Sequence, residues 1–258
     1  MLDVVIKGGT IVDGTGGPSQ QADLGIRDGR IVAVGAIDEE ATQTIDASGK
    51  IVSPGFVDVH THYDGQATWS NRMSPSSHHG VSTVVMGNCG VGFAPIVPGQ
   101  EQTLIEQMEG VEDIPGTALA EGIDFRWESF PEYLDALDER RFMLDVGTQV
   151  PHAAVRAYVM GERSMDAEPT DEDLTQIAAI VREGIEAGAL GVSTSRILAH
   201  RTSAGEEVPG TFAGEHELET MARVLGDLDQ GVFEVVPRGM DGEVSETSHA
   251  EIDWMGRI

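Results

Sequence analysis

The chain has 258 residues, 40% of them apolar, which is enough to bury a sizeable core and excludes a disordered chain. Its 16 basic and 44 acidic residues leave a formal net charge of -28, and no stretch gathers Lys or Arg into a positive face, so nucleic acid and anionic membrane are excluded as expected partners. The N-terminus carries no basic stretch followed by an apolar run of signal length, and no segment reaches the apolar length of a membrane helix, so the expected location is cytoplasmic.

Residues 2–50 read as short strands. Leu2, Val4 and Ile6 alternate, Gly8-Gly9 reads as a turn, and Thr10 to Val12 follows. Asp28-Gly29 separates Leu24-Gly25-Ile26 from Ile31-Val32, a strong hairpin signal. After Pro54-Gly55 the pattern changes to apolar runs of strand length alternating with amphipathic helices, which argues for parallel βα units. The runs are Phe56 to Val59, Thr83 to Met86, Phe142 to Val146, Ala189 to Val192 and Val232 to Val236. Thr170 is the expected N-cap of a helix whose first turn holds Asp171, Glu172 and Asp173, with Leu174, Ile177, Val181 and Ile185 on one face and Gly188 as the stop. Leu218, Met221, Leu225 and Leu228 before Gly231 repeat that arrangement, whereas residues 96–140 read as an inserted, partly helical excursion. Five strands cannot close a parallel barrel, which needs about eight. The tail from Ile252 to Ile258 reads as a helix interrupted in mid-course, so the sequence is expected to be a fragment of a longer protein.

His60-Thr61-His62 follows the first run directly. Residues two apart on an extended strand share a face, so both imidazoles can converge on one ion at the strand's carboxyl end, where a parallel barrel keeps its active site. The pair is the expected metal site. Cys89, the only cysteine, cannot form an internal disulfide and reads as a core thiol, a nucleophile or a metal ligand. It sits in Met86-Gly87-Asn88-Cys89-Gly90-Val91-Gly92, a glycine-flanked loop at the end of the second run, where a thiolate can bind or bridge zinc.

Gly55-Phe56-Val57-Asp58-Val59-His60-Thr61-His62-Tyr63-Asp64, preceded by a small sheet, resembles the amidohydrolase superfamily. Gly87 to Pro95, Val150-Pro151-His152-Ala153-Ala154-Val155-Arg156 and Gly188 to Ser195 resemble its D-aminoacylase (N-acyl-D-amino-acid deacylase) branch. The resemblance implies an α/β fold, a (β/α)8 TIM-type barrel of which about five strands are present here, with a small β-sandwich made from both ends of the chain. The expected division is 1–54 for the sandwich part and 55–258 for the truncated barrel. It also implies hydrolysis of non-peptide amide bonds, deacylating N-acyl-D-amino acids or similar small N-acyl compounds. Zinc, as one or two ions, activates the water, and His60, His62 and Cys89 match the ligand positions. An aspartate that shuttles the proton lies beyond residue 258, so no catalytic residue is assigned within the chain and the segment by itself is expected to be inactive.

No lysine follows Lys50, which rules out a bridging carboxylated lysine and disfavours hydantoinase-like or dihydroorotase-like chemistry, leaving Cys89 as the candidate bridge. In Phe233-Glu234-Val235-Val236-Pro237-Arg238, Val236 stands where the branch usually has a metal-binding histidine, with Glu234 on the same face as a possible substitute. His200 is expected to line a substrate pocket, with Arg196 or Arg201 gripping a carboxylate. The alternatives are a cyclic-amide amidohydrolase and a non-catalytic metal-binding barrel relative.

Overall fold

The computed structural model describes residues 1–165, 167–239 and 246–258, with the side chains of 246 and 247 left out. The chain divides into two compact units, Met1–Phe56 and Val57–Ile258. Among the described residues no helix is long and apolar enough to cross a membrane.

The first unit is built from β1 (Leu2–Ile11), β2 (Gln20–Arg27), β3 (Arg30–Gly35), β4 (Ala41–Asp46) and β5 (Ile51–Val52). They form one sheet in the order β3-β2-β1-β4, with β5 also on β1. Asp28 and Gly29 link β2 to β3 with φ of 50° and 69°, the pair of positive angles that a type I′ hairpin turn needs. Gly8-Gly9 is not the turn that the sequence suggests. β1 runs straight through it, the register with β2 shifting between Ile6 and Gly9. A Cβ on Gly9 would lie 2.5 Å from a Val52 methyl, so the glycine pair serves a bulge and a close approach.

The second unit begins with β6 (Phe56–Asp58), α1 (Gln66–Trp69) and β7 (Val81–Met86), and continues through α2 (Glu101–Glu112), α3 (Gly116–Gly122) and α4 (Phe130–Asp138). Next come β8 (Asp145–Thr148), β9 (Val150–Pro151), α5 (His152–Met160), α6 (Asp171–Ala187), β10 (Gly191–Ser195), α7 (Glu215–Leu228), β11 (Val232–Val236) and α8 (Glu246–Met255). β6, β7 and β8 are neighbours in one sheet and β9, β10 and β11 in another, with β8 parallel to β7, and β10 parallel to both β9 and β11. Only Gln149 separates β8 from β9. Its N–H donates to the Met86 carbonyl (2.9 Å), while the Thr148 carbonyl accepts from Leu190 (2.9 Å), so the third strand bonds to β7 on one edge and to the β10 segment on the other. Strand follows strand in chain order, each reaching its neighbour through helices.

Helix α6 starts and stops for the reasons read in its sequence. Thr170 accepts from Asp173 N–H and the Asp173 carboxylate accepts from Thr170 N–H, a full capping box, and Gly188 ends it. Ile177, Val181 and Ile185 are buried beneath it, as are Leu218 and Met221 beneath α7. The third apolar run enters its strand late, because the Met143 N–H is committed to the Asn71 carbonyl. The excursion over 96–140 is part of the core. Trp127 and Tyr133 meet in a tilted ring contact with 5.0 Å between centres, and the indole N–H donates to the Phe93 carbonyl at 2.7 Å. In the tail, α8 runs to Met255, and the Gly256 and Arg257 N–H groups donate to the carbonyls of Ile252 and Trp254.

His152 has its role inside this packing. Glu217 of α7 is buried, with Oε1 2.9 Å from His152 Nε2 and Oε2 accepting from Arg156, while His152 Nδ1 lies 2.9 Å from the Thr194 hydroxyl. Burial raises the pKa of this carboxyl, but the hydrogen bonds and charges of His152 and Arg156 outweigh it and hold the group at about 2, below the ordinary value of 4.5. A depressed carboxylate pKa contributes stability that is fully present above about 4.5 and is lost as the pH falls toward 2. Glu217→Gln is therefore expected to lower stability at neutral pH by about 3–5 kcal/mol, because it strands a buried guanidinium. It is also expected to flatten the fall in stability between pH 5 and pH 3, as read by urea midpoints at each pH. Equal acid sensitivity in the variant and the parent would place the titrating group elsewhere.

Candidate metal centre

Three loops, one helix end and β11 supply the polar side chains that meet beyond β6 and β7. In the first loop, Thr61 donates both its N–H (2.9 Å) and its hydroxyl (2.7 Å) to the Val85 carbonyl of β7. His60 and His62, on either side of Thr61, share the other side, with ring centroids 5.3 Å apart.

The second loop is 87–92. Gly87, Cys89 and Gly90 have φ of 73°, 55° and 74°, a left-handed path that a cysteine rarely takes. A Cβ on Gly87 would lie 2.3 Å from the Gln149 carbonyl oxygen, so that position needs glycine. The path brings Cys89 Sγ to 3.2 Å from His60 Nε2. His60, His62 and Cys89 each present a ligand atom within 4.8 Å of the others.

Asn88 ties these loops together. Its fully buried amide donates to the carbonyls of Thr61 (3.0 Å) and Val85 (2.9 Å) and accepts from Gln149 Nε2 (2.7 Å). The loop is also held from β10 and β11. Gly90 N–H donates to the Ser193 hydroxyl at 2.9 Å, and that hydroxyl donates to the Gly87 carbonyl. Glu234 Oε2 accepts from the Cys89 N–H at 3.2 Å, and its Oε1 lies 3.8 Å from His60 Nδ1. Glu234 thus contacts both the thiol's backbone and an imidazole, while Val236 offers its carbonyl to the Arg196 N–H (2.9 Å).

Three further residues complete the picture. Glu112, the last residue of α2, sets Oε1 3.2 Å from His62 Nε2. His200 has Nδ1 2.8 Å from the Ser195 hydroxyl, and its ring joins Cys89 and Glu112 in a second triad with ligand atoms within 4.8 Å of one another. Asp64 is buried beside them with Oδ2 lacking a hydrogen-bond partner among the described residues. The sequence reading did not single out Glu112, because one Glu among 44 acidic residues in a motif-free segment carries no signal. The arginines are placed differently from each other. Arg196 is buried and committed to Glu251 (2.5 Å) and the Ala213 carbonyl (2.6 Å), so it is not offered to a substrate carboxylate as expected. Arg201 is half-exposed and holds the Gly205 carbonyl (3.0 Å), with Glu207 at 3.9 Å.

Burial dominates the electrostatics. It pushes His62 down to about 4, helped by His60 and His200, and lowers His200 with help from His60. It raises Asp64 to about 7 and Glu112 to about 7, and it raises Glu234. The Cys89 thiol is pushed up by burial and then by Glu234, Glu112 and Asp64. The lowered His62 and His200 are thereby kept neutral, the form that donates a lone pair to a cation, and buried acids surround them. His62 Nδ1 is a buried nitrogen with no hydrogen-bond partner among the described residues. A thiol and two imidazoles facing a common point form a donor set suited to a zinc-like ion with one position open.

Removing the Asn88 amide tests the scaffold. Asn88→Ala is expected to destabilise the protein by on the order of 3 kcal/mol, since it leaves buried carbonyl and amide groups unpaired. A shift below about 0.5 kcal/mol in a denaturant titration would mean that the Thr61 contacts alone hold the histidine loop.

Residues 43–258 match the model of the amidohydrolase family. The chain is 37% identical over 194 residues to a D-aminoacylase of Alcaligenes xylosoxydans xylosoxydans, covering 75% of this chain and 37% of that protein. It superposes on a crystal structure of D-aminoacylase with a TM-score of 0.78 at 31% identity, covering 100% of this chain and 49% of that one. It also superposes on N-acyl-D-glutamate deacylase from Bordetella bronchiseptica, solved with zinc and a phosphonate inhibitor that mimics the tetrahedral intermediate. That match has a TM-score of 0.72 at 33% identity and covers 98% of this chain and 48% of that one. The chain spans less than half the length of each of these proteins. With most of its length matched by the family model, the chain belongs to the amidohydrolase family.

Proposed function

We propose that the chain carries the metal centre of a hydrolase of non-peptide amide bonds, one that deacylates N-acyl-D-amino acids or closely related N-acyl compounds. The observation that carries this reading is the convergence of His60, His62 and Cys89 where the strands give way to loops. In this reading β6, β7, the β8-β9 strand, β10 and β11 are five successive strands of a (β/α)8 barrel, and residues 1–54 belong to a β-sandwich. The sequential parallel order of the strands and the likeness to the two deacylase structures support it.

In this reading His60, His62 and Cys89 would hold zinc, and His62 Nδ1 is a buried nitrogen with no hydrogen-bond partner among the described residues. When bound, the ion supplies Lewis-acid activation of water and of the amide carbonyl. Glu234 keeps the Cys89 backbone and the His60 ring in place, as carboxylates beside metal-binding histidines commonly do. Arg201 is the candidate for the substrate carboxylate, because its guanidinium is half-exposed and only lightly engaged, whereas Arg196 is spent on Glu251. A hydrolase that bridges its metals through a carboxylated lysine is disfavoured, since no lysine follows Lys50.

Cys89→Ser in the protein that carries this chain tests the reading. Zinc content by elemental mass spectrometry and hydrolysis of N-acetyl-D-amino acids are expected to fall together, with the circular dichroism spectrum unchanged. The loss should exceed the about 10- to 100-fold cost typical of altering a residue that only positions a ligand. Unchanged zinc content and turnover would return Cys89 to the role of a core thiol.

A further inference from the structure

The loop between β10 and α7 carries Arg201, and one side chain closes its neck. Arg196, the first residue after β10, donates its N–H to the Val236 carbonyl of β11 (2.9 Å). Its guanidinium donates to the Ala213 carbonyl (2.6 Å), two residues before α7 begins. The two ends of the loop are thereby joined, so the segment between them moves with that junction.

Helix α8 sets the junction in turn. Arg196 Nε donates to Glu251 Oε1 at 2.5 Å, and Arg196 Cζ lies 5.6 Å from the centre of the Trp254 ring. Glu251 and Trp254 are three apart on α8, so they share a face, and both are buried. Trp254 also meets Phe233 of β11 edge to face, with 6.4 Å between ring centres. A second guanidinium approaches the same carboxylate. Arg238, two residues past β11, has Nε 3.5 Å from Glu251 Oε1 and Cζ 5.4 Å from the centre of the Phe212 ring, next to Ala213. Burial and the neighbouring Arg196 lower the pKa of Arg238, whereas Glu251 raises it. One buried carboxylate thus holds together two cations that repel each other, one at the start of the loop and one against its end.

From this geometry we propose that Glu251 is a positioning residue for substrate recognition. Through Arg196 it fixes the neck of the 196–213 loop, and with it the placing of Arg201 for the substrate carboxylate. The proposal rests on the reading of Arg201 as the partner of that carboxylate. Glu251→Gln keeps the shape of the side chain and removes its charge, so the two guanidiniums repel across a neutral amide and the neck loosens. Thr61 and Asn88 hold the loops of His60, His62 and Cys89 on β7 independently of this junction, so the metal content is expected to stay.

The test uses the whole protein that carries this chain, with N-acetyl-D-leucine as substrate, zinc by elemental analysis and circular dichroism as the check on folding. Glu251→Gln is expected to raise KM by about 10-fold or more, as for a weakened hydrogen bond to a charged group, with kcat and zinc content close to the parent's. Arg196→Lys keeps a cation beside Glu251 but has no fork to span Glu251 and Ala213, so it is expected to give the same pattern should Glu251→Gln fail to fold. Combined with Arg201→Gln, either substitution is expected to add little to the KM of Arg201→Gln alone, because both act on one contact. Hydrogen exchange across residues 197–213 is expected to quicken in both junction variants. The proposal is overturned if KM is unchanged, if kcat and zinc fall with it, or if the KM effects add in full. An unchanged KM in Arg201→Gln overturns the reading of Arg201, and a parent without deacylase activity overturns the proposed function. Unchanged exchange across 197–213 overturns the brace whatever the substrate proves to be.

Discussion

The site depends on a buried side-chain amide more than on any of its prospective ligands. Asn88 hydrogen-bonds at once to the segment after β6, to the end of β7 and to the third strand. The Val85 carbonyl accepts from Asn88 Nδ2 and from both donors of Thr61, so the residue between the two histidines is fixed by the same group that fixes the cysteine's neighbour. A buried amide whose donors and acceptor are all paired is held firmly, because every alternative leaves a donor or acceptor without water or partner. The left-handed residues Gly87, Cys89 and Gly90 are the local cost of that arrangement, and the bonds from Ser193 and Glu234 offset it.

A second buried polar cluster lies close by, where the Ala153 N–H donates to the Gly90 carbonyl at 2.9 Å. His152, Arg156 and Glu217 link the start of α5 to α7 and to Thr194 of β10, so the helices over the last two strands are joined by charge as well as by Leu218 and Met221. His152 belongs to a motif that resembles the D-aminoacylase branch, yet its ring is enclosed among Thr194 and Glu217 and takes no part in the centre. The two clusters divide the labour. One sets the helix packing, and the other leaves imidazoles and a thiol facing a common point.

The acidic character of the chain takes on meaning around that point. Glu112, Glu234 and Asp64 lie close to Cys89, and burial makes each reluctant to ionise. A site surrounded by buried carboxyls and a thiol has a negative potential once it ionises, and a divalent cation is the species that relieves it. A close helix-to-loop contact at Gly110 keeps Glu112 and His200 within reach of the thiol.

Local patterns in the sequence settled a good deal of this protein. The Asp28-Gly29 hairpin, the capped helix from Thr170 to Gly188, the parallel strand order and the histidine pair after the first strand all follow from short-range rules of turn, cap and period, and the structure has each of them. Gly8-Gly9 misled, since a glycine pair signals positive φ or close approach without saying whether the chain turns or bulges, and Val52 decides that from far along the sequence. Which side chains meet the histidines was decided by tertiary structure alone. Arg196 is drawn away to Glu251, 55 residues on, and Glu112 is delivered by a helix whose position rests on a glycine contact with residues 201–203. Contacts between residues far apart in the chain leave no period or spacing to read, so the strands and the histidine pair were legible while the partners around them were not.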